Sequence, residues 1–316
     1  MLKYINVVKE YGATRAVNDV TLGVERGEIC VLLGQSGCGK STLLRMANRL
    51  IDPSSGTVLV DRRDVATGDP VELRRRIGYV IQNVGLLPHR SVAENVGLTP
   101  SLLGMDRAGI NERVDAMLEL VRLDPGLYRD RFPAELSGGE AQRVGVARAL
   151  AANPPLVLMD EPFGAVDPIN RSAIRSDFVA LHRKLGGTVL FVSHDVGEAL
   201  AIADRIALMR DGRIVMHDTP TAILASRDSF VAEFFGNPDD LLLDLLTASL
   251  AVTHGSTHSA DSYAIPGSAS LRTALHQLVR CGNSTVTVID EHGNVLGVVT
   301  LESIHTALTT TQQGKS

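Results

Sequence analysis

The chain has 316 residues, 44% hydrophobic and 21% charged, with a formal net charge of −5. That is room for one large domain and a small one, and the absence of a dense Lys/Arg stripe excludes nucleic acid as the main partner, because neutralising phosphates takes clustered cations. The cysteines Cys30, Cys38 and Cys281 form no CxxC pair, so neither a disulfide framework nor a zinc site is suggested and a reducing compartment fits; no secretory signal is read at the start, and no run nears the ~20 apolar residues that cross a bilayer.

Short apolar runs alternate with helical patterns, which predicts an α/β fold with a largely parallel sheet. Ile29 to Leu33 reads as a buried strand and Lys40 to Leu50 as a helix. From Gly85 to Leu150 the pattern turns helical; Ile110, Val114, Met117, Leu118 and Val121 share one helix face, the mark of a helical subdomain inserted in the sheet domain. Leu156 to Met159 and Thr188 to Ser193 are further buried strands. Arg205 to Arg210 and Arg213 to Met216, joined by Asp211-Gly212, form a hairpin, because Asp-Gly supplies the turn conformation.

The character changes after Phe235. Gly236 to Asp240 is a cluster of breakers, Leu241 to Leu250 a short amphipathic helix, and His254 to Ser262 a polar linker. A small α/β unit follows: a helix from Leu271 to Arg280, a strand from Ser284 to Asp290, a turn, a strand from Val295 to Thr300 and a helix from Leu301 to Leu308. The domains expected are 1–236, with the helical subdomain at about 85–150, then helix and linker at 237–262, and the small unit at 263–310.

Gly34-Gln35-Ser36-Gly37-Cys38-Gly39-Lys40-Ser41, followed by Thr42, fits G-x-x-x-x-G-K-[ST] between a buried strand and a helix. Glycines let backbone N–H groups turn inward around phosphate oxygens, and the helix start adds positive dipole. Lys40 can reach the β and γ phosphates of ATP, and the Ser41 hydroxyl can ligate Mg²⁺. Leu156-Val157-Leu158-Met159-Asp160-Glu161 places two carboxylates at the end of a buried strand, where open α/β sheets bind ligands. Asp160 is the candidate Mg²⁺ holder and Glu161 the candidate for polarising the attacking water. His194 follows another strand end and is a candidate γ-phosphate contact.

Leu136-Ser137-Gly138-Gly139-Glu140, ahead of the helical run Ala141 to Ala151, resembles the signature motif of ABC ATPases. Over residues 1 to 235 the remaining motifs of that family follow in order. Tyr11 resembles the aromatic that stacks on adenine, and Gln82 the glutamine that touches Mg²⁺ and senses a membrane partner. Gly164-Ala165-Val166-Asp167 resembles the loop that crosses to the other subunit, and His194 the switch histidine. Glu140 departs from the commoner Gln, Gly164 from Ser and Val166 from Leu, with no catalytic group lost.

The resemblance implies a P-loop ABC ATPase domain: a mixed sheet core, a helical subdomain and an antiparallel β part. It implies a head-to-tail homodimer in which two anion-binding helix starts close on each ATP from opposite sides. The stretches Ile77 to His89 and Asp160 to Arg171 look like the quaternary-amine (osmoprotectant) uptake branch, whose members import glycine betaine, choline or carnitine. Asp290 to Ile304 resembles a single C-terminal CBS domain. Implied with these are membrane-spanning permease subunits, an extracytoplasmic solute-binding subunit acting indirectly, and a peripheral place on the cytoplasmic face of the cell membrane. An importer for amino acids or another small solute, and a regulatory ATP-binding module without useful hydrolysis, stay open as alternatives.

Overall fold

A run of residues that is apolar on both faces can be satisfied only between two covering layers, and the three such runs here lie side by side in one sheet. A computed structural model describes residues 1–82, 85–164, 168–253, 264–281 and 284–313 of the chain. They fall into two compact units, Met1–His217 and Asp218–Ser316.

In the first unit a six-stranded sheet runs, edge to edge, Arg213–Asp218, Arg205–Arg210, Ile29–Gly34, Thr188–Ser193, Leu156–Asp160 and Ile77–Val80. Every residue of Ile29–Gly34, Leu156–Asp160 and Thr188–Ser193 is buried. These three are parallel, as are Ile77–Val80 beside Leu156–Asp160 and Arg205–Arg210 beside Ile29–Gly34. The register sets Leu33 opposite Ser193, Gly34 opposite Met209 and Asp160 opposite Val192. The carboxyl ends of three strands thus meet in one row, where an open α/β sheet binds its ligand. The edge hairpin forms as expected: Asp211 and Gly212 both take positive φ, 48° and 77°, which gives the two-residue turn its matching twist.

A second, four-stranded antiparallel sheet, ordered Thr14–Val24, Leu2–Tyr11, Ser55–Val60 and Arg63–Asp64, is the antiparallel part, which the sequence reading did not locate. Its inward residues, among them Leu2, Tyr4, Val20 and Leu22, share one apolar cluster with Leu43, Leu44 and Leu158. The Tyr4 hydroxyl donates to the Leu43 carbonyl at 3.0 Å and so ties this sheet to the helix Lys40–Ala47. Short helices at Val92–Val96, Leu98–Leu102 and Pro125–Tyr128 accompany Arg107–Leu120 and Gly138–Leu150. Val114, Met117 and Leu118 are the buried face of Arg107–Leu120, the stripe read from the sequence.

The second unit has its own core. A three-stranded sheet, Ala264–Pro266 parallel to Val286–Ile289 and that strand antiparallel to Val295–Val299, packs with helices Leu271–Cys281 and Leu301–Gln313. Leu243, Leu246, Ala248 and Ala251 belong to the same apolar cluster as Leu271, Val286 and Val288. The segment expected to stand apart as helix and linker is therefore, up to Thr253, part of this unit's body. Thr253 pairs with Val298 there. The linker reading of 254–262 lies outside the described residues. The breaker cluster also has a different use: Asn237 precedes a helix that runs Pro238–Leu245, its side-chain amide donating to Asp240 Oδ2 at 2.7 Å, with Pro238 at the first position and Asp239 and Asp240 in the first turn. Proline without its N–H and carboxylates at a helix start suit the positive end of the dipole.

Candidate active site

The loop between Gly34 and Lys40 begins where two strands leave no room for a side chain. A Cβ on Gly34, at φ +158°, would stand 2.2 Å from the Met209 carbonyl oxygen and 2.9 Å from Cys38 Sγ. Lys40 opens the following helix and is buried; its ammonium donates to the carbonyls of Gly34 at 2.7 Å and Gln35 at 2.9 Å, and lies 3.8 Å from Cys38 Sγ. One residue on, Ser41 Oγ donates to Asp160 Oδ1 at 2.8 Å. The two oxygens read from the sequence as cation ligands are thus already neighbours, although 119 residues separate them.

Asp160 is 1% exposed, and its other oxygen faces Arg45 Nη2 at 3.4 Å. Arg45, whose guanidinium also interacts with Tyr79, was not among the candidates. The signal was present: Arg45 follows Ser41 by four residues in one helix, so both project from the same face.

Glu161 sits in the left-handed region at φ 49°, uncommon for a residue with a side chain. Its amide donates to the Val192 carbonyl at 3.1 Å. Its Oε2 accepts from Gln82 Nε2 at 3.2 Å, and its Oε1 lies 3.0 Å from His194 Nδ1. Two side chains distant in sequence converge on one carboxylate, with strained backbone of the kind found at functional sites.

The signature segment stands as a helix start in its own right. Ser137 caps Gly138–Leu150, with Ser137 Oγ accepting from the Glu140 amide at 3.3 Å and Glu140 Oε2 accepting from the Ser137 amide at 2.7 Å, a capping box. Glu140 Oε1 accepts from the Tyr128 hydroxyl at 2.5 Å. The Tyr128 bond, then the bonds from Ser137, hold the Glu140 carboxyl well below its ordinary range, at about 2. Among the described residues, the side-chain hydrogen bonds of Ser137 and Glu140 run between these two residues and to Tyr128. No periodicity linked Tyr128 to Glu140 in the sequence.

Tyr11 ends its strand opposite Thr14, half exposed, with Lys9 Nζ 5.1 Å above its ring. Asp167, expected to cross to a partner, lies outside the described residues. A separate grouping, Glu28, Cys30 and His217, places three donor atoms within 4.8 Å of one another; Arg205 Nε lies 3.2 Å from the same His217 nitrogen, directed at it as a donor. No helix among the described residues is long and apolar enough to cross a membrane.

The family model described as ABC transporter matches residues 17–164. The carnitine transport ATP-binding protein OpuCA of Listeria monocytogenes is 44% identical over 308 residues, 96% of this chain and 76% of that protein. The osmoprotectant import ATP-binding protein OsmV of Salmonella typhimurium is 44% identical, over 95% of this chain and 79% of the relative. Among solved structures, a dimeric ATP-binding cassette in a post-hydrolysis state with ADP and Pi is 33% identical with a TM-score of 0.64. That likeness covers 69% of this chain and 98% of the other.

Proposed function

The chain belongs to the ATP-binding proteins of ABC transporters, and within that family we propose that it hydrolyses ATP to power the uptake of quaternary-amine osmoprotectants. One arrangement carries the hydrolytic part of this reading: the Glu161 carboxylate held between Gln82 and His194, one residue beyond the Ser41–Asp160 pair. Likeness along nearly the whole chain to relatives named for carnitine and osmoprotectant transport supports the solute class.

The chemistry follows from positioning and charge. The amides of Gly34 to Thr42 cradle phosphate oxygens, and Lys40 exchanges its two loop carbonyls for the β and γ phosphates. Ser41, Asp160 and the Gln82 amide offer only oxygen donors, a set suited to a hard cation such as Mg²⁺. These residues would hold Mg²⁺, which would supply neutralisation of charge on the phosphate oxygens. Glu161 orients and deprotonates the attacking water, His194 contacts the γ phosphate, and Tyr11 stacks on adenine.

Ser137, Gly138, Gly139 and Glu140 of one chain close on the ATP held by a second copy, with Asp167 crossing between them. Two copies then make two sites, as a two-fold pair requires. The pair works at the cytoplasmic face of the membrane, docked on permease subunits that receive solute from an extracytoplasmic binding subunit. The small unit, CBS-like in the run Asp290 to Ile304, regulates the pair. The test of the solute is to purify the chain with its membrane and solute-binding partners and identify the bound molecule by mass spectrometry. A quaternary amine is expected; an amino acid would overturn the solute assignment while leaving the ATPase reading intact.

A further inference from the structure

A helix start that receives phosphate works through N–H groups without intrahelical acceptors and the positive end of the dipole. At Gly138–Leu150 that end already holds a negative charge. Glu140 Oε2 takes the Ser137 amide at 2.7 Å, Glu140 Oε1 takes the Tyr128 hydroxyl at 2.5 Å, and the carboxyl stays ionised down to about pH 2. The N–H groups of Gly138 and Gly139 are what remains of the first turn, and a Cβ on Gly138 would meet nothing within 4 Å, so an approaching ligand has open access there. A γ phosphate arriving at this turn therefore meets the N–H groups together with a fixed carboxylate.

We propose that Glu140 is an affinity-setting residue of ATP-driven pairing: pinned by Tyr128 and the Ser137 amide, its carboxylate is a resident anion that raises the ATP concentration at which two chains close. The inference rests on the paired-site reading above. The two donors do more than place the side chain. Both lie on the carboxylate and spread its charge, and the Arg143 guanidinium, also near Glu140, adds to this, while Arg131 packs at 4.5 Å over the Tyr128 ring. The opposition to phosphate is thereby moderated, and its strength is set by Tyr128 as well as by Glu140.

Glutamine isolates the charge, because it completes a capping box as glutamate does. The experiment uses the full chain carrying Glu161→Gln to stop turnover, and follows pairing by light scattering against Mg-ATP concentration at low and high salt. Glu140→Gln is expected to lower the midpoint about 2- to 5-fold per site at low salt, the range for one charge at a helix start. The gap should narrow at high salt, where exposed charges are screened. ATP affinity of the unpaired chain, read by nucleotide fluorescence at low protein concentration, should not change. Tyr128→Phe should raise the midpoint when residue 140 is Glu and leave it unchanged in the Glu140→Gln chain.

A chain with Glu161→Gln that never pairs on Mg-ATP would sink the paired-site reading itself. Pairing with equal midpoints for Glu140 and Glu140→Gln would overturn the present inference alone. A salt-independent gap, or a Tyr128→Phe shift of equal size in both backgrounds, would overturn it too, since each assigns the effect to structure and not to charge.

Discussion

Glu161 is fixed from three sides: by its amide on Val192, by Gln82 and by His194. A left-handed backbone at a side-chain-bearing residue costs on the order of 1–3 kcal/mol and persists only where its surroundings hold it. Glu161→Gln keeps the shape and removes the base, so steady-state hydrolysis should fall ~10²–10⁴-fold while ATP binding, measured by nucleotide titration, is retained. Near-normal turnover would assign the base elsewhere. Cys38 gives a second expectation. Its Sγ is 3.8 Å from Lys40 Nζ and partly exposed, so an alkyl group there intrudes on the loop that takes phosphate. Alkylation should block hydrolysis, bound ATP should protect, and Cys38→Ala should be active and resistant. Cys30 is fully buried, and burial pushes its thiol far up, so it should not react. The placement of Lys40, Ser41, Asp160 and Glu161 was legible, because a phosphate-loop motif puts the first two at the start of a helix behind one buried strand and the two carboxylates close another. Tyr128 was not, since its role depends on how a short helix folds back on the signature turn.

At the scale of elements, the strands fully buried on both faces were read nearly to the residue, because a continuous apolar run ending in a turn signal admits few alternatives. Thr188 to Ser193 is a case of this, whereas the hairpin around Asp211-Gly212 was legible from its turn residues. The strands of the antiparallel sheet were harder: Leu2–Tyr11 shifts register between Tyr4 and Val7 and again after it, which breaks the alternation that marks a strand. Gly236 to Asp240 misled because the residues that end one helix here begin the next. Close approach of backbones makes a sharp expectation. Gly34→Ala would push a Cβ to 2.2 Å from the Met209 carbonyl, prising the phosphate-loop strand from its neighbour. It should cost about 1–3 kcal/mol in denaturant unfolding and reduce ATP binding. Gly68→Ala, with nothing within 4 Å, should stay within about 0.5 kcal/mol. Equal stability for the two variants would contradict the packing described.

On the scale of the whole molecule, two units with separate cores should answer separately to damage. Val288 is fully buried among Leu243, Leu246 and Leu271, so Val288→Asp places an unpaired charge in the second core. Calorimetry should lose one unfolding transition while Mg-ATP binding remains; loss of both would mean that the catalytic unit needs its neighbour to fold. In the tail the helices from Leu271 and Leu301 and the strands Val286–Ile289 and Val295–Val299 were legible, but the strand Ala264–Pro266 was not. That residues 243–251 join their core was not, because burial of Ala248 and Ala251 depends on which surface they meet. Function at this scale rests on two chains sharing each ATP, and two inactive variants test that directly. Lys40→Ala removes the phosphate-loop ammonium, and Ser137→Arg blocks the signature turn. In a head-to-tail pair, a mixed dimer has one site with both defects and one with neither. Mixing the two variants should therefore restore ATP hydrolysis that neither shows alone. A mixture no more active than its components would contradict the shared site, and with it the pairing of phosphate loop and signature across two chains.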